Sequence, residues 1–380
     1  MIPRLLTNTL RESPKGVLIL GPRQTGKSTL CRELKAQMVI NLMNESTYLE
    51  FARNPRRLQE LIAASRPTSV FIDEIQRLPS LLNSIQVLVD EGPNCPKFIL
   101  TGSSARRLRR GSANLLPGRL FTYRLGPLCS QELNYEMDSA AMSFGALPEV
   151  YLLDKVALKQ KLLTSYTGTY LKEEIQAEAL TKNIEGFARF LFAAAAESSR
   201  FLDLAKLAQQ AQIDRSSAVR WFEILEDTLI VNRVSAFSKS SRQRLVQHPR
   251  FFFFDNGILN ALLNNFQASP DRIGMLFENL FCSQIFASAA AADKEVIVSS
   301  YRTSQGAEVD FVIETGSEIF AVECKATLND PRFTHAGFDG LEKAAGRSIR
   351  RIVAYLGQES LERGKVTVLP WQRAIVEMGL

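Results

Sequence analysis

The sequence predicts an α/β protein whose first third folds around a mainly parallel β-sheet. Short apolar runs alternate with helical stretches in this part of the chain, and a glycine-rich loop joins the first apolar run to a helix. Strand patterns return after residue 270. Because 380 residues are too many for one compact core, we expect several domains.

Five short segments are the expected strands of the first domain, which we place at residues 1–127. In chain order they are Val17–Leu20, Met38–Asn41, Val70–Ile72, Phe98–Thr101 and Phe121–Leu125. Most of them are uninterrupted apolar runs, the pattern of parallel strands that are covered on both faces. Apolar strands separated by helical segments indicate an α/β domain.

A phosphate-binding loop follows the first strand. It matches the pattern GxxxxGK[ST] in full and leads into a helical segment. Its residues are Gly21, Pro22, Arg23, Gln24, Thr25, Gly26, Lys27, Ser28 and Thr29. Backbone N–H groups of such a loop wrap phosphates, Lys27 is expected to reach the β- and γ-phosphates, and the Ser28 hydroxyl is expected to bind Mg²⁺. The loop therefore predicts a site for a nucleoside triphosphate with Mg²⁺, and we expect ATP.

Two carboxylates stand where the third strand ends. Asp73 and Glu74 directly follow the apolar run Val70–Ile72. We expect Asp73 to hold Mg²⁺ through a water molecule and Glu74 to polarise the attacking water. The alternative is a pair of solvated residues that only ends the strand. The complete phosphate loop earlier in the chain favours the catalytic interpretation.

Three further residues are candidates for a catalytic role. Thr101 and Ser103 end the fourth strand and are placed to sense the γ-phosphate; the alternative is an ordinary strand-to-loop turn. Arg119 is a candidate arginine finger that reaches the nucleotide of a neighbouring subunit, and the alternative is a surface arginine. A finger of this kind requires a homo-oligomer, and we expect a hexameric ring.

Helical periodicity replaces the strand pattern in the middle of the chain. We place a helical region at residues 128–200 and a winged helix at residues 201–257, where two helices precede two strand-like segments. The helical region includes Leu158–Leu180 and Ile184–Ala196, and the winged helix comprises Leu202–Ala211, Arg215–Thr228, Leu229–Ala236 and Phe251–Phe254.

Basic residues cluster at three places where contact with DNA is the functional interpretation. They are Arg106, Arg107, Arg109 and Arg110 in one loop, Arg215 and Arg220 on the second helix of the winged helix, and Lys239, Arg242 and Arg244 in its wing. The alternatives are a winged helix that binds only protein and a loop of solvated arginines. The net charge of +6 permits binding of nucleic acid and does not demonstrate it.

The last region, residues 258–380, returns to an α/β pattern and carries a short motif. Asp310 precedes Glu323 and Lys325, and this D…ExK order resembles the catalytic core of the restriction-endonuclease-like superfamily. The resemblance implies that Asp310 and Glu323 share a divalent metal and that Lys325 orients or activates water. Glu278 is the acid that completes such a site. The alternatives are a DNA-binding fold that does not cut and a structural ion pair between Glu323 and Lys325.

Several motifs resemble one family when they are taken in order. GPRQTGKST, VFIDEIQRLP, ILTGSSAR and LLPGR are similar to the bacterial and archaeal AAA-type ATPases whose C-terminal domain has long been of unknown function. GALPEVY, LFENLF, AEVDFVI and FAVECKA resemble that C-terminal part. The resemblance implies an AAA-type core, ATP with Mg²⁺, a helical and winged-helix middle, and a restriction-endonuclease-like end. Pro117-Gly118 precedes Arg119 here, where relatives often have Ala-Gly.

Composition limits the remaining classes. The five cysteines include no CxxC pair and the chain has two histidines, which indicates reduced thiols and no zinc site. No apolar run approaches the ~20 residues that a membrane span needs, and the first residues lack an export signal. We therefore expect a cytoplasmic protein with no membrane partner.

Three functions fit these motifs. The leading hypothesis is an ATP-hydrolysing motor that binds and remodels or translocates DNA, including branched DNA, as an oligomeric ring. The second is an ATP-dependent DNA nuclease in repair or defence, in which the C-terminal motif cuts. The third is an ATP-gated signalling or interaction protein whose winged helix binds a partner protein.

Overall fold

The computed structural model describes residues 2–92, 95–103, 116–171, 183–237 and 248–380. Its backbone contacts divide the chain into two compact units. The first unit comprises Met1–Gly126 with Ile224–Ile230, and the second comprises Pro127–Glu223 with Val231–Leu380. The phosphate loop therefore belongs to the first unit, and the C-terminal motif belongs to the second.

The first unit contains a five-stranded sheet in which every neighbouring pair is parallel. Its strands are β1 (Gly16–Leu20), β2 (Met38–Asn41), β3 (Ser69–Asp73), β4 (Lys97–Gly102) and β5 (Leu120–Arg124). The order across the sheet is β2-β3-β4-β1-β5. The five predicted strands are confirmed, and none of their ends differs from the prediction by more than one residue.

Helices cover both faces of this sheet. They are α1 (Leu6–Glu12), α2 (Lys27–Glu33), α3 (Glu45–Arg53), α4 (Arg57–Ser65) and α5 (Leu81–Asp90). Leu18 and Leu20 of β1 pack in one apolar cluster with α3, α4 and α5, whereas Val17 and Ile19 pack in another with α1 and α2. This two-residue period is that of a strand buried on both faces, which is why the strands appear in the sequence as continuous apolar runs.

The strand order brings the predicted site residues to one edge of the sheet. β4 lies between β1 and β3, so the carboxyl ends of three adjacent parallel strands meet there. β1 leads into the phosphate loop, β3 ends at Asp73, and β4 carries Thr101. In open parallel sheets this edge is where ligands bind.

The second unit contains a mixed eight-stranded sheet with the order β12-β13-β11-β10-β9-β8-β6-β7. Its strands are β6 (Val231–Ala236), β7 (Arg250–Phe253), β8 (Ile297–Arg302), β9 (Glu308–Thr315), β10 (Glu318–Lys325), β11 (Arg350–Tyr355), β12 (Leu361–Arg363) and β13 (Val366–Pro370). The strands β6 and β7 join the C-terminal strands through the parallel pair β6–β8. The segment predicted to be a wing and the C-terminal region therefore share one sheet, and the boundary placed after residue 257 lies inside one folded unit.

The helices of the second unit surround this sheet. They are α6 (Ala141–Phe144), α7 (Pro148–Leu152), α8 (Val156–Ser165), α9 (Ile184–Ala196), α10 (Leu204–Gln210), α11 (Arg215–Asp227), α12 (Asn256–Leu262), α13 (Ile273–Ala291), α14 (Ala336–Ala345) and α15 (Trp371–Glu377), and the last turn of α11 belongs to the first unit. The segment predicted as the helix Leu158–Leu180 contains α8, which ends at Ser165, and a π-helical turn, Tyr166–Leu171, that follows it. Residues 172–182 lie outside the described part of the chain.

One helix of the described residues, α13, is long and apolar enough to cross a membrane by length and composition alone. This corrects the expectation that no apolar run approaches that length. The helix has 19 residues, and 67% of its most apolar stretch is buried inside the protein. It contacts β7, β10 and α15, and we interpret it as the core helix of the second unit.

Candidate nucleotide site

The phosphate loop has the backbone that its glycines require. A Cβ atom on Gly21 would lie 2.1 Å from the carbonyl oxygen of Leu125, so no other residue fits there. Gly26 has a φ of 91° and is the N-cap of α2. The loop therefore ends at a helix N-terminus, where backbone N–H groups attract an anion.

Hydrogen bonds within the loop hold its lysine in place. The buried Thr25 hydroxyl donates to the carbonyl of Pro22 over 2.9 Å. Lys27 is 4% exposed, and its Nζ donates to the carbonyls of Gly21 (2.7 Å) and Pro22 (2.8 Å). The ammonium group thus lies over the loop itself, from where a bound phosphate would attract it.

A buried arginine that the sequence analysis did not single out also contacts the loop. Arg4 Nη1 donates to the carbonyl of Thr25 over 2.6 Å, and its Nη2 donates to the carbonyl of Gly126 over 3.0 Å. The side chain ties the start of the chain to the phosphate loop and to the residue that follows β5 and Leu125. No local pattern marks this role, because Arg4 and Gly126 are 122 positions apart.

The acidic end of β3 is connected to the phosphate-loop helix and to β4. Ser28 Oγ donates to Asp73 Oδ1 over 2.8 Å, and Thr101 Oγ1 donates to the same oxygen over 2.5 Å. The Glu74 N–H donates to Thr101 Oγ1 over 3.0 Å. The structure therefore gathers Ser28, Asp73, Thr101 and Glu74 into one hydrogen-bonded group.

Glu74 has a second connection, through its side chain. Gln76 Nε2 donates to Glu74 Oε2 and also to Ser103 Oγ, the latter over 2.9 Å. All three residues are buried. Glu74 has a φ of 59°, a backbone conformation that is uncommon outside glycine and is often found at functional sites. Gln76 lies inside the motif VFIDEIQRLP, but only the two acids of that motif drew attention in the sequence.

The candidate arginine finger has a partner within its own subunit. Arg119 donates to Asp90 through Nε (2.6 Å) and Nη2 (2.8 Å), and Asp90 is the last residue of α5. The pKa of the Asp90 carboxyl is lowered by this hydrogen bond, and the pKa of the Arg119 guanidinium is raised by it. Both side chains are solvent-accessible. A role in trans would therefore require this bidentate pair to separate.

The predicted nuclease residues form a cluster in the second unit that includes an unexpected cation. Arg250 Nη1 donates to the carbonyl of Asp310 over 3.0 Å, Nη2 donates to the carboxylate of Glu278, and Nε donates to the carbonyl of Ser199 over 2.6 Å. Arg250 is buried and lies over the rings of Phe252 and other aromatic residues. A guanidinium therefore occupies the position facing Glu278.

The other members of this cluster are also paired. Lys325 Nζ lies 2.5 Å from Glu323 Oε1, and the N–H of Cys324 donates to Asp310 Oδ2 over 2.8 Å. Burial and the charge of Asp310 raise the pKa of Glu278 to about 8, against the opposing effect of Arg250. Burial likewise raises the pKa of Glu323, against Lys325. Within the described residues, no three His, Cys, Asp or Glu side chains are arranged to hold a metal ion.

The candidate DNA-binding residues are described only in part. Arg215 and Arg220 lie on α11 and are exposed. Ser217 donates its N–H to Asp214 Oδ1 over 2.8 Å, and this bond caps the start of the helix. The other candidates lie outside the described residues: Arg106, Arg107, Arg109, Arg110, Lys239, Arg242 and Arg244.

The parallel sheet, the phosphate loop at the end of β1 and the acids at the end of β3 define the class of the first unit, a P-loop nucleoside triphosphatase core. Comparison with protein families agrees with this. Residues 13–134 match the family model described as an AAA domain. Residues 139–269 match a domain of unknown function (DUF8612), and residues 273–374 match another (DUF4143). The match and the fold together support an ATPase.

Two relatives of this chain are themselves uncharacterised proteins. An uncharacterised protein of Mycobacterium tuberculosis is 25% identical over 332 residues, which cover 85% of this chain and 72% of the relative. An uncharacterised protein of Methanocaldococcus jannaschii is 22% identical over 280 residues, which cover 67% of this chain and 60% of the relative.

Two solved structures are similar at the level of a weak fold match. The replication initiator DnaA bound to AMPPCP and single-stranded DNA has a TM-score of 0.26 at 12% identity, covering 58% of this chain and 85% of that one. A signal transduction ATPase with numerous domains from Pyrococcus horikoshii has a TM-score of 0.24 at 13% identity, covering 74% of this chain and 44% of that one. With TM-scores this low, neither structure supports a conclusion about this protein.

Proposed function

We propose that the first unit hydrolyses ATP with Mg²⁺. The observation that carries this proposal is the convergence of the Ser28 and Thr101 hydroxyls on one oxygen of Asp73, beside a phosphate loop whose lysine is already in place. Phosphoryl transfer needs positioning and charge stabilisation more than covalent chemistry, and these groups supply both.

The oxygen atoms at this edge of the sheet fit Mg²⁺, which prefers hard oxygen ligands. The Ser28 hydroxyl would hold the ion directly, and the Asp73 carboxylate, 2.8 Å from it, would hold it through water. When bound, Mg²⁺ neutralises charge on the β- and γ-phosphates.

The remaining roles belong to the chain itself. The Lys27 ammonium moves from the loop carbonyls to the β- and γ-phosphates, which attract it more strongly. Glu74 polarises the attacking water, and the Thr101 hydroxyl keeps the Glu74 backbone and the Asp73 carboxylate in register. The Arg119 of a neighbouring subunit supplies positive charge to the γ-phosphate once its pair with Asp90 has opened.

The test is the release of phosphate from ATP by the purified full chain in the presence of Mg²⁺, with nucleotide binding measured separately. Lys27→Ala is expected to weaken binding, whereas Glu74→Gln is expected to keep binding and stop hydrolysis. The exposed Lys343→Ala, on α14, is the matched control and should behave as wild type. Wild-type turnover that persists in Glu74→Gln would refute the assignment of the water-polarising residue.

We further propose that a homo-oligomeric ring couples this hydrolysis to work on DNA in the cytoplasm. Support comes from the exposed Arg215 and Arg220 on α11 and from the net charge of +6. None of the five cysteines, all of which lie in the described part of the chain, forms a disulfide, and this fits a reducing compartment.

The DNA proposal is tested by the ATPase rate with single-stranded, duplex and four-way-junction DNA. At least one of these is expected to stimulate the wild type, and the double variant Arg215→Ala/Arg220→Ala is expected to lose stimulation while keeping its basal rate. Arg332→Ala, an exposed arginine elsewhere in the same unit, is the control. A rate that no DNA changes would count against a DNA motor and leave the ATPase in place.

We infer that an ATP-dependent nuclease is the weaker alternative. The cluster of Glu278, Asp310, Glu323 and Lys325 favours it, but Arg250 occupies the position facing Glu278 with a charge that competes with a metal ion. Incubation of plasmid and branched DNA with Mg²⁺ or Mn²⁺ decides the question. Cleavage by the wild type that is absent in Lys325→Ala would restore the nuclease as the leading candidate.

A further inference from the structure

Gln76 connects two elements of the nucleotide site through one buried amide group. Its Nε2 donates to the carboxylate of Glu74, at the end of β3, and to the hydroxyl of Ser103, just after β4. Gln76 is 4% exposed, and its Oε1 accepts no hydrogen bond from the described residues. A buried acceptor without a protein partner is unfavourable, so other contacts of the amide must favour this orientation.

The orientation of this amide is determined by its neighbours. An ionised carboxylate accepts hydrogen bonds and cannot donate them, so the NH₂ group and not the carbonyl must face Glu74. Rotating the amide by half a turn would place Gln76 Oε1 against Glu74 Oε2, and the two oxygens would repel each other. Both Nε2 hydrogens are then used, one toward Glu74 and one toward Ser103.

The same strand also holds the backbone of Glu74. Thr101, in β4, accepts the hydrogen bond of the Glu74 N–H, two residues before Ser103. Glu74 is therefore held at its backbone by Thr101 directly and at its carboxylate by Ser103 through Gln76. A carboxylate with these two attachments has little freedom left to lose when it aligns a water molecule.

We propose that Gln76 is a positioning residue for ATP hydrolysis, which fixes the Glu74 carboxylate relative to the end of β4. This inference rests on the proposed ATPase function and on the role of Glu74 in it. Ser103 follows Gly102, whose carbonyl accepts a hydrogen bond from the Gly21 N–H of the phosphate loop over 3.2 Å, so Gln76 connects the Glu74 carboxylate to a strand end that contacts this loop.

The test replaces the amide while keeping its volume. Gln76→Met is expected to lower kcat by about 10- to 100-fold, the effect of losing one hydrogen bond to a charged group, and to change the Kd for ATP less than about twofold. Ser103→Ala is expected to lower kcat less, and the double variant should be no slower than Gln76→Met, because both changes break one chain of hydrogen bonds. Gln59→Met, on α4 in the same unit, is the matched control.

Each outcome decides something. An unchanged kcat in Gln76→Met overturns the inference. A variant that loses ATP binding and thermal stability together with kcat also overturns it, because Gln76 would then have a purely structural role. Effects of Gln76→Met and Ser103→Ala that multiply independently also overturn it. If Gln76→Met does not fold, Gln76→Leu, which is also uncharged and lacks the NH₂ donors, replaces it with the same expected loss of kcat. A wild type that hydrolyses no ATP overturns the proposed function itself, and the inference with it.

Discussion

Replacing Thr101 by valine is the most direct test of the hydrogen-bonded group at the end of β3. The Thr101 hydroxyl is fully buried and serves two partners: it donates to Asp73 Oδ1 over 2.5 Å and accepts from the Glu74 N–H over 3.0 Å. Valine keeps the size and the branching at Cβ but removes the hydroxyl, so both partners lose a hydrogen bond inside the protein.

The expected cost follows from these two bonds. A hydrogen bond to a charged group contributes about 1.5–3 kcal/mol, and a buried N–H without a partner costs about 1–3 kcal/mol. Because one hydroxyl makes both bonds, the two costs are not independent, and we expect Thr101→Val to lower the free energy of unfolding of the first unit by about 2–4 kcal/mol. The kcat for ATP hydrolysis should fall as well, since Asp73 and Glu74 both lose an attachment.

The division of the chain into two units makes the measurement specific. Both tryptophans, Trp221 and Trp371, belong to the second unit, so their fluorescence follows the urea unfolding of that unit. Hydrogen exchange of peptides that span β3 and β4, measured in the same samples, follows the first unit. Thr101→Val should accelerate exchange in those peptides and leave the tryptophan transition unchanged.

Two controls separate the lost hydroxyl from a general effect of mutation. Thr101→Ser keeps the hydroxyl and should retain most of the stability, and Thr122→Val, at an exposed position of β5, should resemble wild type. Exchange in Thr101→Val that equals the wild type would contradict the role assigned to the Thr101 hydroxyl, and so would a Thr101→Ser variant as unstable as Thr101→Val.

Two further predictions concern the other charged groups. Arg119→Ala should lower kcat by about a thousandfold or more while each subunit still binds ATP, whereas the exposed control Arg53→Ala should behave as wild type. The wild-type rate per subunit should also rise with protein concentration. A rate that does not depend on concentration, or normal turnover in Arg119→Ala, would exclude a finger in trans. Because folding raises the pKa of Glu278 to about 8, the folded second unit keeps a proton that the unfolded chain releases near its ordinary value, so stability should fall as the pH rises from about 5 to about 8. In urea titrations followed by tryptophan fluorescence, Glu278→Gln should flatten this pH dependence of stability. Some dependence should remain, because burial also raises the pKa of Asp255 to about 6. The same pH dependence in Glu278→Gln and wild type would contradict the raised pKa of Glu278.

The nucleotide site was largely predictable because its information is local. Strands that are buried on both faces appear as continuous apolar runs, and their five positions were found to within one residue. A phosphate loop needs glycine at defined places, and the 2.1 Å approach of Leu125 to a Cβ on Gly21 shows the physical reason. With the strand order β3-β4-β1, these local features are sufficient to bring Ser28, Asp73 and Thr101 together.

The residues that escaped prediction act through long-range contacts. Arg4 reaches Thr25 and Gly126, and nothing near Arg4 in the sequence indicates either partner. Gln76 lies beside the acids of β3, but its role depends on Ser103, 27 positions away on another strand. The strand β12 has little sequence signal for a different reason: it has three residues at the edge of its sheet and buries little of its surface.

The chemistry of the C-terminal motif could be predicted only in part from its residue types. Glu278, Asp310, Glu323 and Lys325 lie in one cluster of the second unit. Their chemistry also depends on a fifth residue, Arg250, which belongs to β7 and reaches the cluster because β6 and β7 extend the same sheet.

A buried carboxylate needs a cation or a proton. Arg250 lies beside Glu278, whose pKa is raised by burial to about 8, and Lys325 lies beside Glu323, so each of these two acids has a cation of the chain next to it. A metal ion at Glu278 would have to displace a guanidinium that also holds the carbonyls of Ser199 and Asp310. The extension of the C-terminal sheet by β6 and β7, and not the motif alone, therefore places a guanidinium in this cluster.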